Sequence, residues 1–279
     1  MSAEEVLPAK PFLKWAGGKN WFIKYLPSFV NGLSIGTYYE PFLGGGSVYF
    51  YLHPEKSFLS DSNSELIETY IGIRDSADDV MAYLKQWPVN EEQYYYIREM
   101  ETSEVAKKAA RFIYLNRTSF NGIYRVNRAG KYNVPYGFRD GYQFDYDRIR
   151  QASSALTGAE LANCDYWEIA KKVKKGDFVF LDPPYTVAHN KNGFIQYNKK
   201  LFSLEDQYLL REFIDEIASK QAYFILTNAA HETIRNIFSG CGLMLELPRF
   251  SGLGGKRAQR GSVSEFIFTN IPNVSLEEL

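Results

Sequence analysis

The chain reads Phe178-Val179-Phe180-Leu181-Asp182-Pro183-Pro184-Tyr185 at the end of one apolar run. The first four residues are all apolar and predict a buried strand. The two prolines lack an N–H group and keep the chain extended, so they end the strand. A carboxylate and an aromatic ring therefore follow a strand directly, at the position where open α/β sheets bind their ligands.

Other short apolar runs along the chain also predict strands. Each ends at a polar residue or a glycine, and they are Gly36–Tyr39, Ser57–Ser60, Glu160–Cys164, Ala222–Thr227, Leu243–Leu247 and Glu265–Thr269. Between two of them, apolar residues recur with helical period from Leu209 to Ile217, and Ser203 is placed to cap that helix. The order strand, helix, strand predicts an α/β fold with a doubly wound, mostly parallel sheet.

A stretch from about residue 71 to residue 151 departs from this order. It holds helical patterns and then a segment punctuated by Gly and Asn, from Asn116 to Gly137. We therefore predict two parts: a catalytic and cofactor-binding domain formed by residues 1–70 and 152–279, and an inserted, mainly helical recognition domain at 71–151.

Charge is unevenly distributed although the net charge is only −1. The stretch from Val105 to Arg139 has no Asp or Glu, and its basic residues are Lys107, Lys108, Arg111, Arg117, Arg125, Arg128, Lys131 and Arg139. A second acid-free stretch carries Arg249, Lys256, Arg257 and Arg260. Basic patches mixed with aromatic residues are typical of surfaces that bind a phosphate backbone, but a solvated surface would have the same composition.

Composition excludes several other classes of protein. No run reaches the roughly 18 apolar residues of a membrane span, and the first ten residues lack the apolar stretch of a signal peptide, so we expect a cytoplasmic protein without a membrane partner. The two cysteines are far apart, and the three histidines lack the spacings of zinc enzymes. We expect no metal site.

A second motif, Tyr39-Glu40-Pro41-Phe42-Leu43-Gly44-Gly45-Gly46-Ser47, follows a predicted strand. Glycines at this position let the backbone approach a ligand. The dinucleotide fingerprint would need a third glycine where Tyr49 stands, which disfavours an NAD site. The next strand ends at Asp61, whose carboxylate can accept hydrogen bonds from ribose hydroxyls. Loop and acid together favour a cofactor that contains adenosine, whereas the loop alone could be a structural turn.

The residues after Leu181 suit the methylation of an aromatic amine. The lone pair of such an amine is delocalised into its ring, so acceptors on its N–H bonds favour the pyramidal nitrogen that develops during methyl transfer. Asp182 and a prolyl carbonyl from Pro183 or Pro184 supply two acceptors, and Tyr185 can stack on the base. The alternative is a proline-rich turn with an exposed Asp182 and a core Tyr185.

These motifs resemble the Dam-type adenine-N6 DNA methyltransferases of the D12 class, alpha group. The matching segments occur in the same order along the chain and are Phe12-Leu13-Lys14-Trp15-Ala16-Gly17-Gly18-Lys19, Glu40-Pro41-Phe42 with its glycines, Asn121-Gly122-Ile123-Tyr124-Arg125-Val126-Asn127, Asn133-Val134-Pro135-Tyr136-Gly137 and Asp182-Pro183-Pro184-Tyr185. The resemblance implies a seven-stranded domain that binds S-adenosylmethionine, an inserted target-recognition domain, and S-adenosylhomocysteine as a product.

The resemblance also implies roles for individual residues. Those expected at the cofactor are Trp15, Gly18, Lys19, Glu40, Pro41, Phe42, Gly44, Gly46, Ser47, Asp61, Asp165 and Asp182. Trp15 and Lys19 would bind the methionine end, Asp61 the ribose and Asp165 the adenine amine.

At the DNA, Arg125 would read a guanine, and Phe120 and Asn121 would enter or support the disrupted duplex. The residues expected at the DNA are Arg117, Phe120, Asn121, Arg125, Asn133, Pro135, Arg139, Lys256 and Arg257. Several relatives have an arginine after the glycine of Asn133–Gly137, whereas this chain has Phe138 and then Arg139.

The resemblance thus predicts methylation of adenine N6 in double-stranded DNA by base flipping, with GATC as the target. It leaves the biological role open among a functional counterpart to a cognate restriction endonuclease, phage protection and a housekeeping mark. RNA adenine is an alternative substrate. Protein glutamine is another, although enzymes of that kind resemble Asn-Pro-Pro-Tyr where this chain has Asp182. A third alternative is a catalytically silent DNA-binding module.

Overall fold

The computed structural model describes residues 9–127, 129–186, 202–250 and 262–274. These residues belong to two compact units. The first unit takes in the chain up to Asn20 together with Leu43–Cys164, and the second takes in Trp21–Phe42 together with the chain from Asp165 onward.

The strands form one mostly parallel sheet in the order β3-β2-β1-β4-β5-β7-β6. Their bounds are β1 Tyr38–Glu40, β2 Ser57–Asp61, β3 Glu160–Asn163, β4 Phe178–Leu181, β5 Tyr223–Ala229, β6 Leu243–Phe250 and β7 Ser262–Thr269. The predicted α/β class with a seven-stranded, mostly parallel sheet is confirmed.

Helices flank these strands along the chain. The α-helices in the described residues are α1 Pro27–Val30, α2 Ser47–Leu52, α3 Ser64–Gln86, α4 Glu91–Glu99, α5 Val105–Thr118, α6 Tyr146–Leu156, α7 Leu204–Ser219 and α8 Glu232–Ile237. The described residues also form three short 3₁₀ turns, at Lys19–Trp21, Phe120–Gly122 and Tyr166–Lys171. No helix among the described residues is both long enough and apolar enough to span a bilayer.

The first unit contains β2 and β3, which pair in parallel with Phe58 opposite Glu160. Helix α3 runs from Ser64 to Gln86 and α6 from Tyr146 to Leu156, so each crosses one of the boundaries at 70/71 and 151/152. The separate recognition domain at 71–151 stays a prediction.

The second unit centres on β4, which is buried at all four positions and pairs in parallel with β1 and with β5. Strand β7 runs antiparallel to both β5 and β6. The predicted cap of α7 is confirmed, because Ser203 Oγ accepts from the Asp206 amide at 3.1 Å and Asp206 Oδ2 accepts from the Ser203 amide at 2.6 Å. Since β1 and β4 are parallel, Glu40 and Asp182 lie at the same edge of the sheet.

Candidate active site and nucleic-acid interface

The glycine loop of the first unit is packed against Trp15. Gly44 has a φ of +48°, and a Cβ added there would lie 2.7 Å from Trp15 Cδ1. Gly46, with a φ of +65°, precedes α2, and a Cβ there would lie 3.0 Å from the Tyr70 hydroxyl. Glycine is required at both positions by backbone conformation and by space, and the loop presents bare backbone.

Trp15 is held by aromatic contacts and by hydrogen bonds of the neighbouring residue. Its ring is stacked near Phe112 and Tyr124, at interplanar angles of 21° and 24°. The neighbouring Lys14 forms a two-way bond with Asn116, since the Lys14 amide donates to Oδ1 at 2.8 Å and Asn116 Nδ2 donates to the Lys14 carbonyl at 2.7 Å. The segment that carries Trp15 is thereby fixed to α5.

Other predicted cofactor residues of the first unit lie in the turn after Trp15 or at the start of α2. The Gly18 amide donates to the Trp15 carbonyl at 3.2 Å, and Lys19 Nζ donates to the Gly17 carbonyl at 2.9 Å. Lys19 and Ser47 are buried.

Asp61 ends β2 and orders the glycine loop. Its Oδ2 accepts from the Gly44 amide and its Oδ1 from the Asn63 amide, both at 3.0 Å. Desolvation raises the pKa of the Asp61 carboxyl, while the amides of Asn63, Gly44 and Ser62 act in the opposite direction. Each carboxylate oxygen has a second lone pair, so Asp61 can hold the loop and still accept from a ligand hydroxyl.

In the second unit, Asp182 directly follows β4 and is oriented by β5. The Thr227 hydroxyl donates to Asp182 Oδ1 at 2.8 Å, and Thr227 is itself fully buried. Pro183 is buried, and Pro184 is half-buried. Asp182 is half-buried, whereas the alternative of a proline-rich turn expected an exposed Asp182.

Tyr185 is tied to an ion pair between the two antiparallel strands. Its hydroxyl donates to Glu265 Oε2 at 2.5 Å, and Glu265 Oε1 lies 2.6 Å from Arg249 Nε. Burial first, and then the negative charges of Glu265 and Asp182, raise the pKa of Tyr185 well above its usual value. The phenol is therefore a proton donor at physiological pH.

The remaining predicted cofactor residues of the second unit are Glu40, Pro41, Phe42 and Asp165. Glu40 is buried and accepts from the Tyr38 hydroxyl at 2.7 Å. The Phe42 ring lies 5.3 Å from that of Tyr166. Asp165 is exposed and caps the 3₁₀ turn Tyr166–Lys171, because its Oδ1 accepts from the Trp167 amide at 2.9 Å.

The turn after α5 presents an aromatic side chain to solvent. Phe120 is 52% exposed, so it is not a packing residue. Its amide donates to the Pro135 carbonyl at 2.9 Å, and the next residue, Asn121, is exposed with a φ of +59°. Gly137 fits closely behind the turn, since a Cβ there would lie 2.5 Å from the Ser119 carbonyl oxygen.

Arg125 lies on a short antiparallel segment that contains the Val126–Tyr132 bridge. Its Nε donates to Asn133 Oδ1 at 2.8 Å and its Nη2 to the Asn133 carbonyl at 3.2 Å. The exposed guanidinium is thus oriented by a neutral partner, and among the described residues no carboxylate pairs with it.

Two groups of basic residues in the first unit differ in their surroundings. Those with structural partners are Lys108 on Glu68, Arg111 on the Ile97 and Arg98 carbonyls, Lys131 on Glu101, and Lys107 over the Tyr83 ring. In contrast, Lys14 lies near the cations Arg139 and Arg117: desolvation first, and then the charges of Arg139 and Arg117, lower the pKa of Lys14. We call these three residues the cation cluster.

Next to Arg139, Phe138 is 80% exposed, with a φ of +53°. Lys256 and Arg257, also predicted to contact DNA, lie outside the described residues.

Sequence reasoning missed several residues that support the site, namely Lys14, Asn116, Thr227, Arg249 as a partner of Glu265, and Glu265 itself. One signal was available for Glu265, because an acidic residue inside the apolar run Glu265–Thr269 is unusual for a buried strand. The partners of Thr227 and Arg249 depend on strand register, which the sequence pattern alone does not give.

The chain belongs to the D12 class of N6 adenine-specific DNA methyltransferases, because a sequence model of that family matches residues 15–248. It is 31% identical over 277 residues to the type II methyltransferase M1.LlaDCHI of Lactococcus lactis subsp. cremoris, covering 95% of this chain and 96% of the relative. It is 32% identical over 246 residues to the type II methyltransferase M.MjaIII of Methanocaldococcus jannaschii, covering 80% and 85%.

The DNA adenine methylase of Haemophilus influenzae is 29% identical over 253 residues, covering 86% of each chain. The family predicted from the motifs is confirmed.

Proposed function

We propose that this family member is a site-specific enzyme that methylates adenine N6 in double-stranded DNA, with GATC as its target, after flipping the adenine out of the helix. The observation that carries the proposal is the half-buried Asp182, which follows β4 and is oriented by the Thr227 hydroxyl at 2.8 Å, three residues before Tyr185. A fixed acceptor beside an aromatic ring suits an amine that is attached to a base.

S-adenosylmethionine is the cofactor that we propose, and the residues present fit it. The Gly44 backbone cannot carry a side chain beside Trp15, and Asp61 retains acceptor capacity next to the loop. In the first unit we assign the cofactor contacts to Trp15, Gly18, Lys19, Gly44, Gly46, Ser47 and Asp61. In the second unit we assign them to Glu40, Pro41, Phe42, Asp165 and Asp182. When bound, this cofactor supplies an electrophilic methyl group and leaves as S-adenosylhomocysteine.

The protein's own part in the reaction is to hold the adenine and to stabilise its developing charge. Asp182 and a prolyl carbonyl of Pro183 or Pro184 accept from the N6 hydrogens, which favours the pyramidal nitrogen. Tyr185 stacks on the base and limits its motion. Because Asp182 is oriented before substrate arrives, little reorganisation is needed during the reaction.

Residues of the first unit are the proposed DNA contacts. Exposed Phe120, with Asn121 beside it, enters or supports the duplex where the adenine leaves the stack. Arg125, oriented by Asn133, reads a guanine, and Pro135 holds the Phe120 turn. Arg117 and Arg139 of the cation cluster attract phosphates, and we assign Lys256 and Arg257 the same role from sequence.

The experiment that tests this proposal compares methyl acceptors. The protein is incubated with labelled S-adenosylmethionine and an unmethylated duplex containing GATC, a single-stranded RNA of the same sequence, or a glutamine-containing peptide. We expect label in the duplex as N6-methyladenine, and unchanged activity with EDTA. Label in the RNA or peptide alone would favour the alternative substrates, and cofactor binding without transfer to any acceptor would favour a silent module.

The names of two relatives, both type II methyltransferases, support a cognate restriction endonuclease as the functional counterpart.

A further inference from the structure

A buried ion pair lies on the two antiparallel strands of the second unit. Glu265 on β7 is fully buried, and Arg249 on β6 has only 21% of its side chain exposed. Glu265 is paired in register with Leu247, so Arg249 lies two residues further along β6 and on the same face. Burying two charges costs more free energy of desolvation than forming an ion pair at the surface. Apolar residues could fill the same volume, so stability alone does not account for the pair.

The two oxygens of Glu265 have different partners. Oε1 lies 2.6 Å from Arg249 Nε, and Oε2 accepts from the Tyr185 hydroxyl at 2.5 Å. The ion pair is therefore connected to the segment that follows β4. At the other end of this segment, Thr227 on β5 holds Asp182. Asp182 is thus tied to β5, and Tyr185 is tied to β7.

We propose that Arg249 and Glu265 are positioning residues that fix the ring plane of Tyr185, and thereby the plane in which the target base stacks. The inference rests on the proposed function and adds two residues to it. The Tyr185 hydroxyl is the far end of the side chain, so a hydrogen bond there restricts the tilt of the ring. Because the O–H bond of a phenol prefers the plane of its ring, its direction toward Glu265 Oε2 also favours one ring plane. Arg249 neutralises the carboxylate, which lets Glu265 remain buried as an acceptor.

Tyr185→Phe is the first variant for testing this role, because it removes the hydroxyl and leaves the ion pair intact. Single-turnover methylation of the GATC duplex should slow on the order of 10- to 100-fold, the loss expected for one hydrogen bond to a charged group. The Kd values for DNA and for S-adenosylmethionine should change less than threefold.

Glu265→Gln with Arg249→Met forms the second variant, in which the buried charges are gone and an acceptor oxygen remains for Tyr185. The methylation rate of this double variant should be higher than that of Glu265→Leu, which has no acceptor for the Tyr185 hydroxyl. Tyr185→Phe combined with Glu265→Leu should be no slower than the slower single variant, because both changes remove the same bond.

The position of the target base provides a measurement that would not change if Arg249 and Glu265 only stabilised the fold. With 2-aminopurine in place of the target adenine, both wild type and Tyr185→Phe should raise the fluorescence on binding, and the signal of the variant should be brighter because stacking on Tyr185 is less complete. Phe268→Leu is the matched control, since Phe268 is buried on the same strand and packs on Phe238. It should lower the melting temperature and keep both the rate and the fluorescence.

Wild-type rates in Tyr185→Phe and Glu265→Leu, or losses that add in the combined variant, would overturn the positioning role. A wild-type protein that does not methylate DNA would instead contradict the proposed function, so the two failures are distinguishable.

Discussion

The Thr227 hydroxyl fixes one oxygen of Asp182 and so decides how this carboxylate is presented after β4. If Asp182 stabilises the amine only while it reacts, Asp182→Ala should lower the single-turnover methylation rate by on the order of 10²–10³ and leave DNA affinity nearly unchanged. Rapid-quench kinetics and a DNA titration provide the two quantities. Asp182→Asn, which keeps one acceptor oxygen, should fall between alanine and wild type. An alanine variant within a few-fold of wild type would refute the assignment.

Asp61 gives the site a dependence on pH. Because desolvation raises the pKa of its carboxyl, Asp61 takes up a proton above the range usual for aspartate. If ribose hydroxyls donate to the ionised form of Asp61, as we propose, cofactor affinity should be full above this raised pKa and should fall as the pH is lowered through it. Calorimetric titrations with S-adenosylhomocysteine between pH 4.5 and about 7 measure the effect. Asp61→Asn should bind more weakly and show a flat profile, and an equally steep profile in this variant would assign the dependence to another group.

We propose different roles in DNA binding for the two ends of one irregular segment of the first unit. The segment begins at the Phe120 turn, carries Arg125 on its antiparallel part, and ends near Arg139 in the cation cluster. Arg125 is oriented by Asn133 as a base reader would need to be. In the cation cluster, Arg139 and Arg117 disfavour the charge of Lys14, an effect that a nearby phosphate would offset.

Arg125→Ala should therefore reduce the free-energy difference between binding GATC and binding sites altered at the guanine, by about 1–3 kcal/mol for a bidentate contact. The dependence of DNA affinity on salt concentration should change little. Arg139→Ala and Lys14→Met should weaken all duplexes and flatten the slope of log K against log salt by about 0.9 for each lost contact. Methylation rates and affinities on substituted duplexes at several salt concentrations separate the two classes.

Lys108→Ala is the control for these variants, because Lys108 is already paired with Glu68. It should alter neither discrimination nor slope. Unchanged discrimination after loss of Arg125 would show that another residue reads the guanine.

The sequence pattern predicted those strand bounds and helix caps that depend on residues close together in the chain. Strand β4 has the predicted bounds, and the capping box at Ser203 is present, because apolar runs and caps are local signals. Strand β1 begins at Tyr38 rather than Gly36, since the Thr37 amide donates to Asp177 Oδ1 instead of joining the strand. Strand β7 begins at Ser262, three residues earlier than predicted, because pairing with β6 continues through polar residues.

The supporting contacts of the candidate site could not be predicted in the same way. The tie from Thr227 to Asp182 and the pair of Arg249 with Glu265 join residues that are 45 and 16 positions apart, and each depends on strand register. The motifs name the residues that we propose to face a substrate, whereas the strand register determines which residues hold them in place.

The proposed methylation of adenine N6 at GATC can be tested on whole genomic DNA. DNA from a methylation-free host is treated with the protein and S-adenosylmethionine, and modified adenines are then mapped across the sequence by single-molecule sequencing. We expect N6-methyladenine at GATC on both strands, and none after treatment with Asp182→Ala. Modified adenines at a different motif would contradict the target, and DNA without N6-methyladenine would contradict the proposed activity.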